Sequence, residues 1–236
     1  MSVEIVEMFD TIVARYDLLN RFLSLFLDQR WRRKTVRRVL QNGKVLPGEE
    51  GGLRILDGCT GTGDLAILLA KEPMVAEVVG VDAAISMLDR AQMKTDDTSV
   101  VASVRYQQAD MYWLPFANDS FDAITISFGF RNLHRYEDAL QEMVRVLRPG
   151  GCIAILEFAP PADGLRGFLY RLYLWIIPAL ATLLLGKLSA YRYLGSSIRG
   201  FLSPGEMLTL LRKHRVKHTM GTNIFFEGVY LYTGCI

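Results

Sequence analysis

Short apolar runs alternate with longer amphipathic segments along most of the 236-residue chain. "LRILDG" (53–58) predicts a buried strand, and "DLAILLAKE" (64–72) a helix that Pro73 stops. "EVVGVDA" (77–83) predicts a second strand, and "AISMLDRAQM" (84–93) a helix with apolar residues at helical spacing. "VRYQQAD" (104–110) and "FDAITISFG" (121–129) predict two further strands. "YEDALQEMVRVLRPGG" (136–151) predicts a helix with a Pro-Gly-Gly exit into a fifth strand, "CIAILEF" (152–158). Alternation of this kind implies an α/β fold, a mostly parallel sheet with helices on both faces. Two strand-like runs at the end, "VKHTMGT" (216–222) and "FEGVYLYTG" (226–234), predict an antiparallel hairpin at one edge, seven strands in all.

Residues 160–200 carry no strand signal and interrupt the alternation with apolar helix, the place for a lid over a substrate. With no internal repeat, the chain reads as a single domain, 1–236. It divides into a helical cap (1–45), a core (52–158), a helical lid insertion (159–203), and a last helix with the hairpin (204–236). The longest apolar run, "LYLWIIPALATLLLG" (172–186), is shorter than the ~20 residues a membrane span needs and contains Pro178. It reads as a substrate-covering or membrane-surface helix pair.

Half of the residues are apolar and the mean hydropathy is +0.19, more apolar than a globular enzyme needs. A net charge of +2 gives no reason to expect nucleic acid as a partner. Charge is nonetheless clustered, in "RWRRKTVRR" (30–38) and "RKHRVKH" (212–218). Such helices are usually solvated faces, but beside apolar segments they also suit an anionic membrane surface. Cys59, Cys152 and Cys235 lack metal-ligand spacing and read as reduced, in a cytoplasmic protein with no secretory signal. No metal is expected.

The most informative stretch is "LDGCTGTGDLAILLAK" (56–71), a glycine-rich turn after the first strand. Gly61 and Gly63 allow a ligand close to the backbone, Thr62 offers a hydroxyl, and Asp64 can cap the following helix. The dinucleotide fingerprint fails, because Thr60 stands where its middle glycine would be, and the Gly-Lys-Ser/Thr ending of a phosphate loop is missing. Asp82 ends the second strand about twenty residues on, where an acid accepts from ribose hydroxyls. Asp110, after the third strand, can meet an adenine amino group. Together they outline a nucleoside pocket without a pyrophosphate cradle, which fits S-adenosylmethionine.

These residues carry a family resemblance. The chain resembles the Rossmann-like class I S-adenosylmethionine-dependent methyltransferases, and among them the ubiquinone/menaquinone biosynthesis C-methyltransferases. The matching pieces run in order: "FDTIVARYDLLNRFLS" with "WRR", "TGD", "VDAAISML", "LPFANDSFDAITISFGFRN", "ALQEMVRVLRPGG" with "ILEF", and "YRYLGSSIRGF". "LRPGG" occurs in many methyltransferases, but "ITISFGFRN" followed by "YRYLGSSIRGF" is specific. The resemblance implies cofactor contacts from Thr62, Asp82, Asp110, Met111 and Ser127, with Asp57 and Gly61 along the methionine moiety.

It further implies methyl transfer to a ring carbon of a prenylated quinol, demethylmenaquinol or the methoxy-benzoquinol of ubiquinone synthesis. Arg131 would stabilise a phenolate or position a water, since a guanidinium stays protonated. Asn132 would orient it, and Tyr16 in "ARYD" would complete the polar network. The plainer alternative for Arg131 is a strand-end ion pair; His134 reads as a loop histidine, and Glu157 as a loop anchor. Tyr193, Ser197 and Arg199 of "YRYLGSSIRGF" would approach the quinol, while Phe168, Leu169, Tyr173, Trp175 and Ile176 line an entrance or rest in the membrane interface. The expected setting is cytoplasmic and peripheral to the membrane; a homodimer stays open.

The match to the family pattern is not uniform. Cys59 and Thr60 precede Gly61 where relatives carry a small residue and glycines, Phe26 and Asp28 replace a glycine and a histidine, and the chain ends "YLYTGCI". The rival readings are a methyltransferase on another lipophilic molecule, and a non-catalytic cofactor-binding partner in a quinone-biosynthesis complex.

Overall fold

In the computed structural model, which describes residues 13, 17–18, 20–21, 24–42, 51–185 and 188–236 (side chains at 177–192 excepted), seven strands form one sheet. They are β1 (Leu53–Gly58), β2 (Val75–Asp82), β3 (Ser103–Gln108), β4 (Phe121–Ser127), β5 (Leu147–Phe158), β6 (Lys217–Phe225) and β7 (Val229–Cys235). Their order is β3-β2-β1-β4-β5-β7-β6, parallel except where β7 pairs with β5 and β6. The parallel core and terminal hairpin follow the sequence reading. Six of the seven residues of β4 are buried, the mark of a strand covered on both faces. Because β2 and β4 lie on opposite sides of β1, the topological switch, and with it the crevice for a ligand, falls after β1.

Two helical layers cover the sheet. On one face α1 (Asp28–Asn42), α2 (Asp64–Ala70), α5 (Gly164–Leu185) and α6 (Leu188–Arg199) pack through Trp31, Leu65, Leu174 and Ile198. On the other, α4 (Tyr136–Val146) and α7 (Pro204–Lys213) bury Met143, Met207 and Leu211. The remaining helix, α3 (Ile85–Asp96), joins β2 to β3. α7 starts with a capping box, in which Ser203 and Glu206 satisfy each other's backbone N–H, and has Pro204 in its first turn.

Three details differ from the sequence reading. The helix expected to run up to its Pro-Gly-Gly exit ends at Val146, because Pro149 disfavours helical backbone at Arg148; Leu147 already pairs with Phe121. α5 continues through Pro178 as one helix of 22 residues. Cys152 and Cys235, expected to be reduced, stand opposite each other on β5 and β7 and are joined as a disulfide. Spacing along the chain could not show that pairing, since the register of the antiparallel pair brings them together. α5 is anchored at the hairpin, where Tyr170 donates to the Gly228 carbonyl (3.0 Å) and its ring occupies the space a Cβ on Gly228 would need.

Candidate active site

The glycine turn follows β1 at the switch point and is stitched to the end of β2. The Thr60 N–H donates to the Val81 carbonyl (3.0 Å), and the Gly61 N–H to Asp82 Oδ2 (2.9 Å). Asp82 also accepts from the Ala84 N–H (3.0 Å), so one carboxylate fixes both the turn and the approach to α3. Gly61 and Gly63 have φ of 55° and 78°, the left-handed region that favours glycine. At Gly63, however, the space beside the backbone is taken by the Tyr106 hydroxyl, 2.5 Å from where a Cβ would sit. That glycine makes room for a side chain of its own protein. Asp64 does not cap α2 either; it accepts from Lys94 (2.6 Å) and Gln29 (3.2 Å) and lies 3.8 Å from Arg32.

Asp57, buried at the end of β1, accepts hydroxyl hydrogen bonds from Thr60 and Thr125, each 2.6 Å. Burial pushes its pKa up to about 6, against the two hydroxyls and the charge of Arg32, which pull it down. A cation placed beside it relieves that penalty. A small cavity adjoins Asp57, lined also by Cys59, Gly61, Thr62, Arg32 and Ser127. The Ser127 hydroxyl is buried with no hydrogen-bond partner among the described residues. A buried carboxylate short of positive charge and an unsatisfied hydroxyl across one cavity fit the cationic amino-acid portion of S-adenosylmethionine. Cys59 has φ 49° and lies against Gly129, where a Cβ would come within 2.3 Å of the cysteine Cβ; burial holds its thiol protonated.

Asp110 and Met111 lie beyond β3. Asp110 accepts from the Tyr112 N–H (3.1 Å), and buried Met111 fills the space over Gly58. Thr62 donates to Asp17 (2.5 Å) and accepts from Lys94 (3.2 Å), which also donates to Asp17 (3.0 Å). Against the desolvation of burial, Arg32 and Lys94 hold the Asp64 carboxyl below its usual range. The sequence reading missed Lys94, Asp17 and Arg32. Arg32 was hidden in a basic run, yet it lies on the inward face of α1 with Asp28, Trp31 and Thr35, and donates to Asp28 at 2.6 Å. Asp28, one of the departures from the family pattern, is therefore a buried ion-pair partner.

A second polar group forms where β4 gives way to a short 3₁₀ turn, Phe130–Asn132. Arg131 Nη1 donates to Glu157 Oε1 (2.8 Å) and to the Phe128 carbonyl (2.5 Å), and its guanidinium lies 5.4 Å from the centre of the Phe158 ring. Glu157 also accepts from the backbone N–H groups of Arg131 (3.1 Å) and Phe158 (2.9 Å), anchoring the turn as its position suggested. The strand-end ion pair is thus present. Tyr193 of α6 donates to Asn132 Oδ1 (3.0 Å); burial raises its phenol pKa, with Arg131 opposing and Glu157 adding to the shift. Arg131, Asn132 and Tyr193 are brought together. Ser197 and Arg199 are not: Ser197 donates to the Leu194 carbonyl in its own helix (3.0 Å), and Arg199 is exposed beside Gly195. Tyr16 lies outside the described residues. The His134 N–H donates to the Tyr112 hydroxyl (2.8 Å), and a wider cavity of about 710 Å³ between α4 and α7 holds none of the assigned site residues. Among the described residues no cluster of metal-ligating side chains occurs.

Known proteins share this fold. The solved S-adenosylmethionine-dependent methyltransferase from Aquifex aeolicus superposes with a TM-score of 0.56 at 17% identity, over 85% of this chain and 89% of that one. Haemonchus contortus phosphoethanolamine N-methyltransferase 2, solved with S-adenosyl-L-methionine, gives 0.57 at 18% identity, over 81% of this chain and 38% of that one. These establish the Rossmann-like methyltransferase fold. In sequence, the demethylmenaquinone methyltransferase of Thermus thermophilus is 45% identical over 205 residues, 86% of this chain and 89% of its own length. The ubiquinone/menaquinone biosynthesis C-methyltransferase UbiE of Geotalea daltonii is 39% identical over 98% of this chain and 95% of its own. The model of the ubiE/COQ5 methyltransferase family matches residues 2–230, and the chain belongs to that family.

Proposed function

We propose that this enzyme methylates a ring carbon of a prenylated quinol, with demethylmenaquinol as the acceptor, working at a membrane surface. The observation that carries the reading is the 45% identity, over most of both chains, to an enzyme named demethylmenaquinone methyltransferase. The pocket agrees with it. Asp57 and Ser127 would hold the amino-acid portion of S-adenosylmethionine, with Gly61 and Thr62 beside it, Asp82 at the ribose, and Asp110 with Met111 at the adenine. A carboxylate accepts several hydrogen bonds, so Asp82 can orient the turn and still receive ribose hydroxyls. When bound, S-adenosylmethionine supplies an activated methyl group.

The chain's own task is to align the acceptor and raise electron density on its ring. The Asn132–Tyr193 pair presents a hydroxyl and an amide with which a quinol hydroxyl can hydrogen-bond. Arg131 places a buried cation at the same strand end, where negative charge on a quinol oxygen is stabilised; Glu157 holds that cation in position. Ser197 and Arg199 follow Tyr193 along α6 and would border the acceptor's path, and Tyr16 would close the site from the N-terminal cap. The test is incubation with methyl-labelled S-adenosylmethionine and chemically reduced demethylmenaquinone. Label should appear on the quinone and disappear in Arg131→Ala while cofactor binding persists. No labelled product with cofactor still bound would reject the acceptor and keep the cofactor site.

A further inference from the structure

Six large apolar residues of α5, Leu165, Phe168, Leu169, Leu172, Trp175 and Ile176, recur at spacings of three and four and are all exposed, Trp175 to 73%. They form one uncovered stripe. Their helical neighbours Tyr170 and Leu174 face the protein, so the stripe is the outer side of a docked helix. Phe226, at the tip of the β6–β7 hairpin, is exposed as well and packs edge-on against Phe225 at 4.8 Å.

α1 covers the same face of the sheet and has a different outer side. Arg30, Arg33, Lys34 and Arg37 are exposed and fall at helical spacing. None of the four has an ion-pair partner among the described residues, unlike Arg32 on the inner side. Aromatic rings join the two helices: Trp31 of α1 lies 5.4 Å from Phe225, which lies 6.3 Å from Tyr173 of α5. The basic and apolar stripes are therefore neighbours. α5 contains no acidic residue, and the single acid of α1, Asp28, is buried.

We propose that the outer sides of α1 and α5 form a docking surface for an anionic lipid bilayer, the apolar stripe entering the interface and the basic stripe meeting the headgroups. The proposal rests on the prenylated-acceptor reading for its purpose, since it puts the entrance to the site where a polyprenyl chain resides. Charge decides between occupants. A second copy, packed through this surface about a two-fold axis, would oppose two basic faces on helices that carry no exposed carboxylate, and the neighbouring Glu227 is already paired with Arg166 of α5 (3.0 Å). An anionic bilayer complements both stripes. The aromatic chain also continues inward, from Trp31 to Phe128 (6.1 Å) and on to Phe158 (4.8 Å), the ring over which Arg131 lies. The surface is thus adjacent to the strand ends that hold the site.

The test uses the full chain and quinol-free vesicles of phosphatidylcholine, with and without phosphatidylglycerol, in sedimentation assays. The protein should pellet with the anionic vesicles, less so as salt rises. Arg33→Gln/Arg37→Gln should weaken that partitioning roughly thirtyfold, at about a fivefold loss per basic residue. Phe168→Ser/Trp175→Ser should weaken it as well. Methyl transfer to a soluble, unprenylated quinol, followed in parallel, should be unchanged in Arg33→Gln/Arg37→Gln. Failure of the wild type to pellet, wild-type partitioning by both variants, or a vesicle-free dimer dissolved by Trp175→Ser would overturn the proposal. Vesicle binding without methyl transfer to any quinol would uphold this surface and reject the acceptor instead.

Discussion

Replacing Glu157 by glutamine tests whether the β4–β5 strand ends are held by charge. Glu157 has no exposed surface, and the Arg131 side chain is 8% exposed. The substitution keeps the shape and one acceptor oxygen but leaves the guanidinium buried against a neutral amide. Removing one partner of a buried pair costs about 3–5 kcal/mol. The two backbone N–H groups donate to different oxygens of the carboxylate, so the amide oxygen can accept from only one of them and the other faces the amide NH2; the lower end of that range, about 3 kcal/mol, is therefore a minimum. For a chain of this length that corresponds to a melting-point drop of about 6–12 °C. Arg131→Met removes the cation, and combining it with Glu157→Gln leaves no unpaired charge. The double variant should therefore be more stable than the sum of the single losses by about 2–3 kcal/mol. Thermal and urea melts of the four proteins give this coupling energy, and calorimetry checks that cofactor affinity persists. A Glu157→Gln protein within about 0.5 kcal/mol of wild type, or strictly additive losses, would refute the reasoning.

Three other outcomes are expected. Lys94→Met, which unties Asp17, Thr62 and Asp64, should weaken S-adenosylhomocysteine binding roughly five- to thirtyfold with kcat nearly unchanged; titration calorimetry and steady-state kinetics separate the two effects. Because burial raises Asp57 from 3.8 to about 6, the stability contributed by its protonated form is complete below the lower value and lost as pH rises through the higher. That leaves a penalty of about 3 kcal/mol at neutral pH, so Asp57→Asn should stabilise the ligand-free protein there. In the same variant cofactor affinity should fall, whereas in wild type it should drop about tenfold per pH unit below about 6, by calorimetry across that range. Tyr193→Phe with Arg199→Ala should reduce quinol affinity or turnover, and a double variant indistinguishable from wild type in both would remove these residues from the acceptor site.

The architecture was legible because its signals are local. An apolar run such as "FDAITIS" has one stable place, between two layers, and the glycine turn after "LRILD" fixes where the chain must leave the sheet. Asp82 could be marked in advance because it ends a strand whose position the hydrophobic pattern sets, whereas Asp57 and Ser127 are implied by the family resemblance and prove to stand at strand ends as well. Pairings between distant segments carry no such mark. Lys94 looks like any solvated helix residue until α3 is laid beside the glycine turn, and only then does it reach three oxygens contributed by Asp17, Thr62 and Asp64. Cys152 and Cys235 meet through a β-register that no spacing rule encodes.

The same contrast separates two neighbouring arginines of α1. Arg32 and Arg33 are adjacent and identical in composition, yet helical geometry turns one toward Asp28, Asp64 and the Phe128 ring and the other toward solvent. Burial converts the first into a structural charge whose removal would strand Asp28. The second, exposed and with no ion-pair partner among the described residues, has its charge available to a surface outside the protein. A 100° step along a helix thus separates an arginine bound into the ion pairs beside the glycine turn from one that faces solvent, where the membrane surface proposed above would meet it.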